Sequence, residues 1–284
     1  MKRVSRIAAV LAATPLFTLA GLGAAAPATA AGTLPDYTAP GPYAVTVAAG
    51  DSAHTNYYPT DLGPVGTKHA VIVWGNGTGA SVSTYDTFLR HMASWGFVVA
   101  AANTTQSGSG AEMLAGARWL ITQNTNPASP FYGRIDPANV GASGHSQGGG
   151  GALVAGADPL VKTTAPISPG PQGDETTLRG PVFFAAAQLD WIVPSAWVKY
   201  RYGRVAQVPA VFGEVGQTDH FYDQYYGYND AGATVLAGVT AWFRYQLMGD
   251  AAACTAFFGP SPAIAANPKW SDFARNTKAA AISC

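Results

Sequence analysis

The chain has 284 residues, 48% of them hydrophobic and only 11% charged, with 16 basic residues against 16 acidic ones. That length holds one large domain or two small ones. No basic run points to nucleic acid, and no strong net field points to steering of charged substrates.

The first stretch reads as an address rather than as structure. Lys2, Arg3 and Arg6 make a basic start, 7–22 is nearly all apolar or small, and Ala28-Thr29-Ala30 offers a small-x-small cleavage pattern. These are the three parts of a secretory signal peptide, expected at 1–30. Thr14, Pro15 and Thr18 interrupt the apolar run, which is short for a membrane span of about 20 residues. Cleavage after Ala30 would leave 31–284, 254 residues with 13 basic against 16 acidic side chains and a net charge of −3. That is enough chain for a single well-buried domain.

The segment 31–42 contains Pro and Gly and is expected to lie extended over the surface. Strands are predicted at 43–47 and 54–58, joined by a turn at Gly50-Asp51. A buried strand follows at 69–74, then helical spacing over 83–95 that puts Tyr85, Phe88, Leu89 and Met92 on one face. Next come a strand at 97–101, a helix at 111–122 carrying Met113, Leu114, Trp119 and Leu120, a short strand at 140–144 and a small-residue helix at 147–157. Strands at 161–167, 181–187 and 208–215 and a long helix at 231–247 complete the pass. Alternation of strand and helix from 69 onward predicts an α/β fold, a mostly parallel central sheet with helices on both faces. The opening hairpin would add antiparallel strands at one edge. In open parallel sheets ligands bind beyond the carboxyl ends of the strands. Chemistry is therefore expected just after Trp74, Gly144, Ala187 and Val215.

Gly144-His145-Ser146-Gln147-Gly148 fits G-x-S-x-G, between a predicted strand and a helix that opens with four glycines, Gly148 to Gly151. In that context the serine is a nucleophile on a tight strand-to-helix turn. A serine hydroxyl needs a base to attack near neutral pH. Of the five histidines, His54, His69, His91 and His145 either precede or adjoin Ser146, and only His220 lies well downstream. His145 is expected to point elsewhere on the sharp turn, and His69 and His91 read as surface or core. His220 is thus the candidate base. Asp190 follows the apolar run 181–187 and is the candidate acid that holds the imidazole. Asp219 is its main competitor but adjoins His220; Asp174 and Glu175 lie in a polar loop. Acyl transfer needs two donors for the oxyanion. The backbone N–H of Gln147 is one. The other is expected from Trp74-Gly75-Asn76-Gly77-Thr78-Gly79, with Asn76 first and Gly77 second.

Taken together, these residues resemble the bacterial cutinase and polyester hydrolase family, which includes PET-degrading enzymes. Gly144-His145-Ser146-Gln147-Gly148-Gly149 is similar to the family's Gly-His-Ser-Met-Gly-Gly, Asp190-Trp191-Ile192-Val193-Pro194 to its Asp-x-Ile-Ala-Pro, and Asp219-His220-Phe221 to its Ser-His-Phe. Ser271-Asp272-Phe273 with the terminal Cys284 resembles its disulfide-closed tail. The chain departs at Asn76, where the family carries an aromatic residue, at Gln147, where it carries Met, and at Ile167 after Pro166, where it often carries Trp. Trp74, Gly77 and Trp191 are the candidates to wall the substrate cleft instead. The resemblance implies an α/β-hydrolase fold. A helical lid is often inserted near 168–180 in that fold; that polar segment is too short for one, which implies no lid domain and an open cleft.

The expected reaction is carboxylic-ester hydrolysis through an acyl-enzyme, by Ser146, His220 and Asp190, on a neutral substrate that is lipid-like or polymeric. It calls for no cofactor and no metal, and the protein is expected to be an extracellular monomer. A histidine base must be neutral to act, so the rate is expected to fall on acidification. The alternatives are an acyltransferase or peptidase using the same triad, and a non-catalytic binding protein on this scaffold. Cys254 and Cys284 are the chain's two cysteines. In an exported protein an even pair this close is expected to form a disulfide.

Overall fold

The strands, in chain order, are β1 Val45–Ala49, β2 His54–Pro59, β3 His69–Gly75, β4 Val98–Ala102, β5 Ile135–His145, β6 Thr163–Ile167, β7 Val182–Ala187, β8 Ala210–Val215 and β9 Trp270–Arg275. The computed structural model describes residues 1, 34–222 and 230–284, so the signal peptide read at 1–30 lies, but for Met1, outside the described residues. All nine strands join in one sheet, in the order β1-β2-β4-β3-β5-β6-β7-β8-β9. From β4 to β8 every pair is parallel. The β1–β2, β2–β4 and β8–β9 pairs are antiparallel. The expected opening hairpin is there, at the expected edge.

Parallel strands are covered on both faces, so they read as unbroken apolar runs. β3, β4 and β7 have no exposed residue. Their side chains alternate between the two faces. Ala70, Ile72 and Trp74 join the cluster built with Phe88, Leu89 and Met92 of α1 (Asp86–Ser94) and with Val239, Trp242 and Phe243 of α5 (Asp230–Met248). Val71 and Val73 face the other way, onto Met113, Ala117 and Leu120 of α2 (Ala111–Gln123) and Ala152 and Ala155 of α3 (Gln147–Ala155). β7 repeats the pattern: Phe183 and Ala185 join the first cluster, while Phe184 and Ala186 meet Val198 of α4 (Ser195–Gly203).

The register sets where the site can form. Gly75 pairs with Gly144, His145 with Ile167, Ile167 with Ala185, and Ala187 with Val215. The carboxyl ends of β3, β5, β6, β7 and β8 therefore come out side by side.

Two of the elements that were not visible in the sequence bear on the site or the sheet. The first, α4, buries Val198 and Arg201 at helical spacing, and a charged residue on the buried face hides the apolar stripe. Arg201 is 2% exposed. Its Nε donates to Glu175 Oε2 at 2.8 Å, and its terminal nitrogens donate to the carbonyls of Gly170, Gln172 and Gly173. It thereby holds the loop after β6, whose one helical turn is the 3₁₀ turn Glu175–Thr177. The second is β9, a half-buried edge strand whose Ser271 and Asp272 break any apolar pattern. The region predicted as one helix over 83–95 is a 3₁₀ turn, Val82–Tyr85, followed by α1.

The C-terminal segment wraps back through three short helices, α6 Ala251–Cys254, α7 Ala263–Ala266 and α8 Thr277–Ala280. Cys254 and Cys284 form a disulfide with a Cα–Cα separation of 5.8 Å. It closes a loop across a sequence separation of 30, which constrains the unfolded chain. Replacing both cysteines by Ser is expected to cost about 2–4 kcal/mol in urea unfolding at neutral pH; an unchanged midpoint would remove the disulfide from the stability of the fold.

Two buried histidines make stability depend on pH. His91 on α1 and His145 at the end of β5 are 3% and 1% exposed. Burial pulls their pKa values down from 6.5, His91 to about 4 and His145 to about 3. The unfolded chain takes up these protons as pH falls through 6.5, whereas the native state does not until the lower values are reached. Stability is thus full above that range and falls on acidification, by about 1.4 kcal/mol per pH unit for each histidine. Urea unfolding at pH 7 and pH 5 is expected to show this loss, and His91→Gln to reduce it. Equal stability at both pH values would contradict the neutral burial.

Candidate active site

The nucleophile candidate sits where β5 gives way to α3. Ser146 has φ 54° and ψ −118°, a conformation that L side chains rarely adopt. Its neighbours pin it: its N–H donates to the Ile167 carbonyl at 2.9 Å, and its carbonyl accepts from Gly150 at 3.0 Å and Gly170 at 2.8 Å. The turn is tight because α3 lies directly on the strand ends. A Cβ on Gly148 would stand 2.0 Å from the Gly75 carbonyl oxygen, and one on Gly151 would stand 2.0 Å from that of Ser107. Only glycine fits at either position. Ser146 is the N-cap of α3, so the first N–H groups of that helix, beginning with Gln147, have no intrahelical acceptor. They present partial positive charge beside the serine.

His220 and Asp190 come from the ends of β8 and β7. The Nδ1–H of His220 donates to Asp190 Oδ2 at 2.6 Å, with both side chains almost wholly buried. The other carboxylate oxygen accepts the N–H groups of Ile192 at 2.9 Å and Val193 at 2.7 Å. Burial pushes the Asp190 pKa up, but these hydrogen bonds, led by that from His220, outweigh it and leave the carboxyl below its ordinary value. Asp190 is thus held as a carboxylate aimed at Nδ1. That leaves Nε2 as the free ring nitrogen. Ser146 and His220 line one cavity of about 230 Å³, together with Gly77, Thr78, Ile192 and Phe221.

The rival carboxylates are occupied elsewhere. Asp219 accepts the N–H of Phe221 at 3.0 Å in a local turn. Asp174 caps the 3₁₀ turn at Thr176, and Glu175 pairs with Arg201.

The loop after β3 differs from the sequence expectation. The Asn76 N–H, expected to face an oxyanion, donates to Ser107 Oγ at 3.0 Å, and the residue is fully buried. Its side chain braces the loop: Oδ1 accepts from Trp74 Nε1, and Nδ2 donates to the carbonyls of Ala102 and Thr104. Gly77, the second choice, reaches the cavity, but its N–H donates to the Tyr85 hydroxyl at 3.1 Å. Thr78 also lines the cavity, and its N–H has no hydrogen-bond acceptor among the described residues. The Gln147 side chain donates to Gln106 Oε1 at 3.0 Å, in the segment after β4.

Of the cleft candidates, Trp74 is not in the cleft. It is 1% exposed, with its ring 5.1 Å from both Tyr85 and Phe88 in the core beneath. Its position in a strand buried on both faces is the reason. Trp191 is 77% exposed beside the cavity-lining Ile192. His145, expected to point away, lies against the site: its ring is 4.6 Å from that of His220. Tyr85 was read only as part of an apolar helix face, yet its hydroxyl reaches the cavity wall. A tyrosine in an apolar stripe carries a polar tip that needs a partner when buried, and that is the signal the sequence offered. Among the described residues no group of three or more His, Cys, Asp or Glu is arranged to hold a metal ion.

The chain is similar to proteins of known name. It is 27% identical over 183 residues to Lipase 1 of Moraxella sp. (strain TA144), covering 63% of this chain and 56% of that one. It is 32% identical over 142 residues to the bis(hydroxyethyl) terephthalate hydrolase of Streptomyces coelicolor, covering 45% of this chain and 44% of that one. The chain thus spans about half the length of each of these relatives. The model of the PET hydrolase-like family matches residues 26–276. The chain belongs to the PET hydrolase-like family, with the α/β-hydrolase fold expected from its motifs.

Proposed function

We propose that this protein is a secreted serine esterase that cleaves neutral carboxylic esters through an acyl-enzyme. The observation that carries the reading is the Asp190–His220 hydrogen bond of 2.6 Å, opening on the same cavity as the strained Ser146. His220 Nε2 takes the Ser146 hydroxyl proton as the oxygen attacks the ester carbonyl, and the C=O bond becomes an oxyanion. The Gln147 N–H receives that charge from the helix side, and the Gly77-Thr78 backbone from the loop side, with the Thr78 N–H the donor still unengaged. His220 then protonates the leaving alcohol as the C–O bond breaks. Water, deprotonated by His220, attacks the acyl-enzyme and frees the acid and Ser146. Asp190 fixes the tautomer and stabilises the imidazolium formed in each half-reaction.

Substrate class follows from the cavity and its rim. Trp191 and Ile192 are apolar and exposed at 77% and 43% beside the site. That rim suits a bulky apolar ester, lipid-like or polymeric, better than a charged one. The names of the relatives, a lipase and a bis(hydroxyethyl) terephthalate hydrolase, lend support to esters as the class. Export is supported by the basic start, apolar run and Ala28-Thr29-Ala30 at the N-terminus, and by the Cys254–Cys284 disulfide.

The test is hydrolysis of p-nitrophenyl esters from acetate to palmitate beside release from a polyester film. Turnover is expected with both kinds of substrate. Ser146→Ala is expected to lower kcat by about 10³-fold or more without unfolding the protein, and Asp190→Asn by about 10²–10⁴-fold. A folded Ser146→Ala variant with normal turnover would overturn the assignment. Absence of labelling of the intact protein by a serine-directed phosphonate would do the same. Labelling without ester turnover would move the reading to an acyltransferase or peptidase.

A further inference from the structure

Behind the nucleophile runs a buried hydrogen-bonded chain that the mechanism above does not use. The Gly77 N–H lies 3.1 Å from the Tyr85 hydroxyl oxygen. That oxygen lies 2.9 Å from His145 Nδ1. His145 Nε2 lies 2.8 Å from the backbone carbonyl oxygen of His220. Tyr85 and His145 are each 1% exposed.

Counting donors and acceptors fixes the direction of every bond. A carbonyl oxygen only accepts, so His145 Nε2 carries a proton. In the neutral ring Nδ1 is then an acceptor, and the Tyr85 proton goes to it. The Tyr85 oxygen is left to accept from Gly77. Burial favours this neutral form, since it holds the His145 pKa near 3. One tautomer satisfies all three bonds with no polar atom of the chain left over.

We propose that Tyr85 and His145 are positioning residues that couple the oxyanion loop at Gly77-Thr78 to the backbone of the base-bearing loop at His220. The proposal rests on the esterase reading above. His220 is held at two points. Asp190 orients its ring through Nδ1, and His145 fixes its main chain through the carbonyl. The oxyanion loop is held from the same side chain, through Tyr85. Gly77 also lines the same cavity as Ser146, and a Cβ added to it would stand 3.5 Å from Ser146 Cβ, so this loop runs close beside the nucleophile. His145 is itself joined to Ser146 by one peptide bond. Nucleophile, base and oxyanion loop reach the site from separate strand ends, and this relay ties all three at one buried point. The rings of Trp74 and Tyr85 could pack without the hydroxyl. The hydroxyl bonds to both Gly77 and His145.

The test uses the full chain, a short soluble ester and three variants. Tyr85→Phe keeps the ring and removes only the oxygen. It is expected to lower kcat about 10- to 100-fold with KM within about threefold, in a protein that still unfolds cooperatively. His145→Leu is expected to do the same. His145→Gln, whose amide still offers a donor to the His220 carbonyl, is expected to recover part of the loss. The double variant Tyr85→Phe/His145→Leu should be no worse than His145→Leu alone, because one cut breaks the relay. Nitrogen-15 NMR of the wild-type protein should show His145 neutral with its proton on Nε2 at neutral pH. Wild-type kcat in folded Tyr85→Phe, a change confined to KM, or additive losses would overturn the proposal. So would a proton on Nδ1 of neutral His145, a readout that stands even if a variant fails to fold. Ser146→Ala separates the two readings: if it stays active the esterase mechanism fails, while the tautomer still reports on the relay.

Discussion

The site depends first on how closely the backbone of α3 lies against the ends of β3 and β5. Positions 148 and 151 leave no room for a Cβ, because the carbonyls of Gly75 and Ser107 occupy the space. That contact forces the chain to turn within one residue, and Ser146 absorbs the turn at positive φ. A strained serine is tolerated only where its surroundings over-determine it. Here the carbonyl of Ile167 and the amides of Gly150 and Gly170 do so. The glycines that weaken α3 as an isolated helix are thus the condition for placing Ser146 on this turn and for aiming the helix N-terminus at it.

Electrostatics act on the second layer. Asp190 spends one oxygen on two backbone amides and the other on His220, and these bonds stabilise its charge. The cost of burying a carboxylate is offset by three hydrogen bonds to the charged form. His145 does the opposite job. It is kept neutral by burial, with its ring 4.6 Å from that of His220.

A third layer holds the loops. Arg201 reaches under the segment after β6 and gathers the carbonyls of Gly170, Gln172 and Gly173 with the Glu175 carboxylate. Since the Gly170 amide donates to the Ser146 carbonyl, this buried ion pair sits two steps from Ser146. Asn76 performs the matching task on the other side: its Nδ2 ties the end of β3 to the last residue of β4, Ala102, and to Thr104 just beyond it.

Much of this was legible in the sequence because it is written in local signals. Unbroken apolar runs alternating with helical stretches marked the parallel strands, and strand-serine-helix punctuation marked Ser146. Chain order picked out His220 and Asp190 as its partners, and the structure brings Asp190 and His220 into contact at the strand ends where they were expected. What stayed hidden was set by contacts between residues far apart in the chain. Arg201 disguised α4, because a charge on a helix face reads as solvent until its buried partners are known. Asn76 looked like an oxyanion donor from its place in the loop, but Ser107, 31 positions away, claims its N–H. Trp74 looked like a cleft wall, but strand alternation and α1 bury it. Tyr85 and His145 lie 60 positions apart and meet because the 3₁₀ turn that follows the β3 loop sets Tyr85 against the end of β5, where His145 lies. The sequence alone determined which groups could react and on which scaffold. The tertiary structure alone decided which of their neighbours are already hydrogen-bonded, since pairing of buried polar groups is set by distance in space and not along the chain.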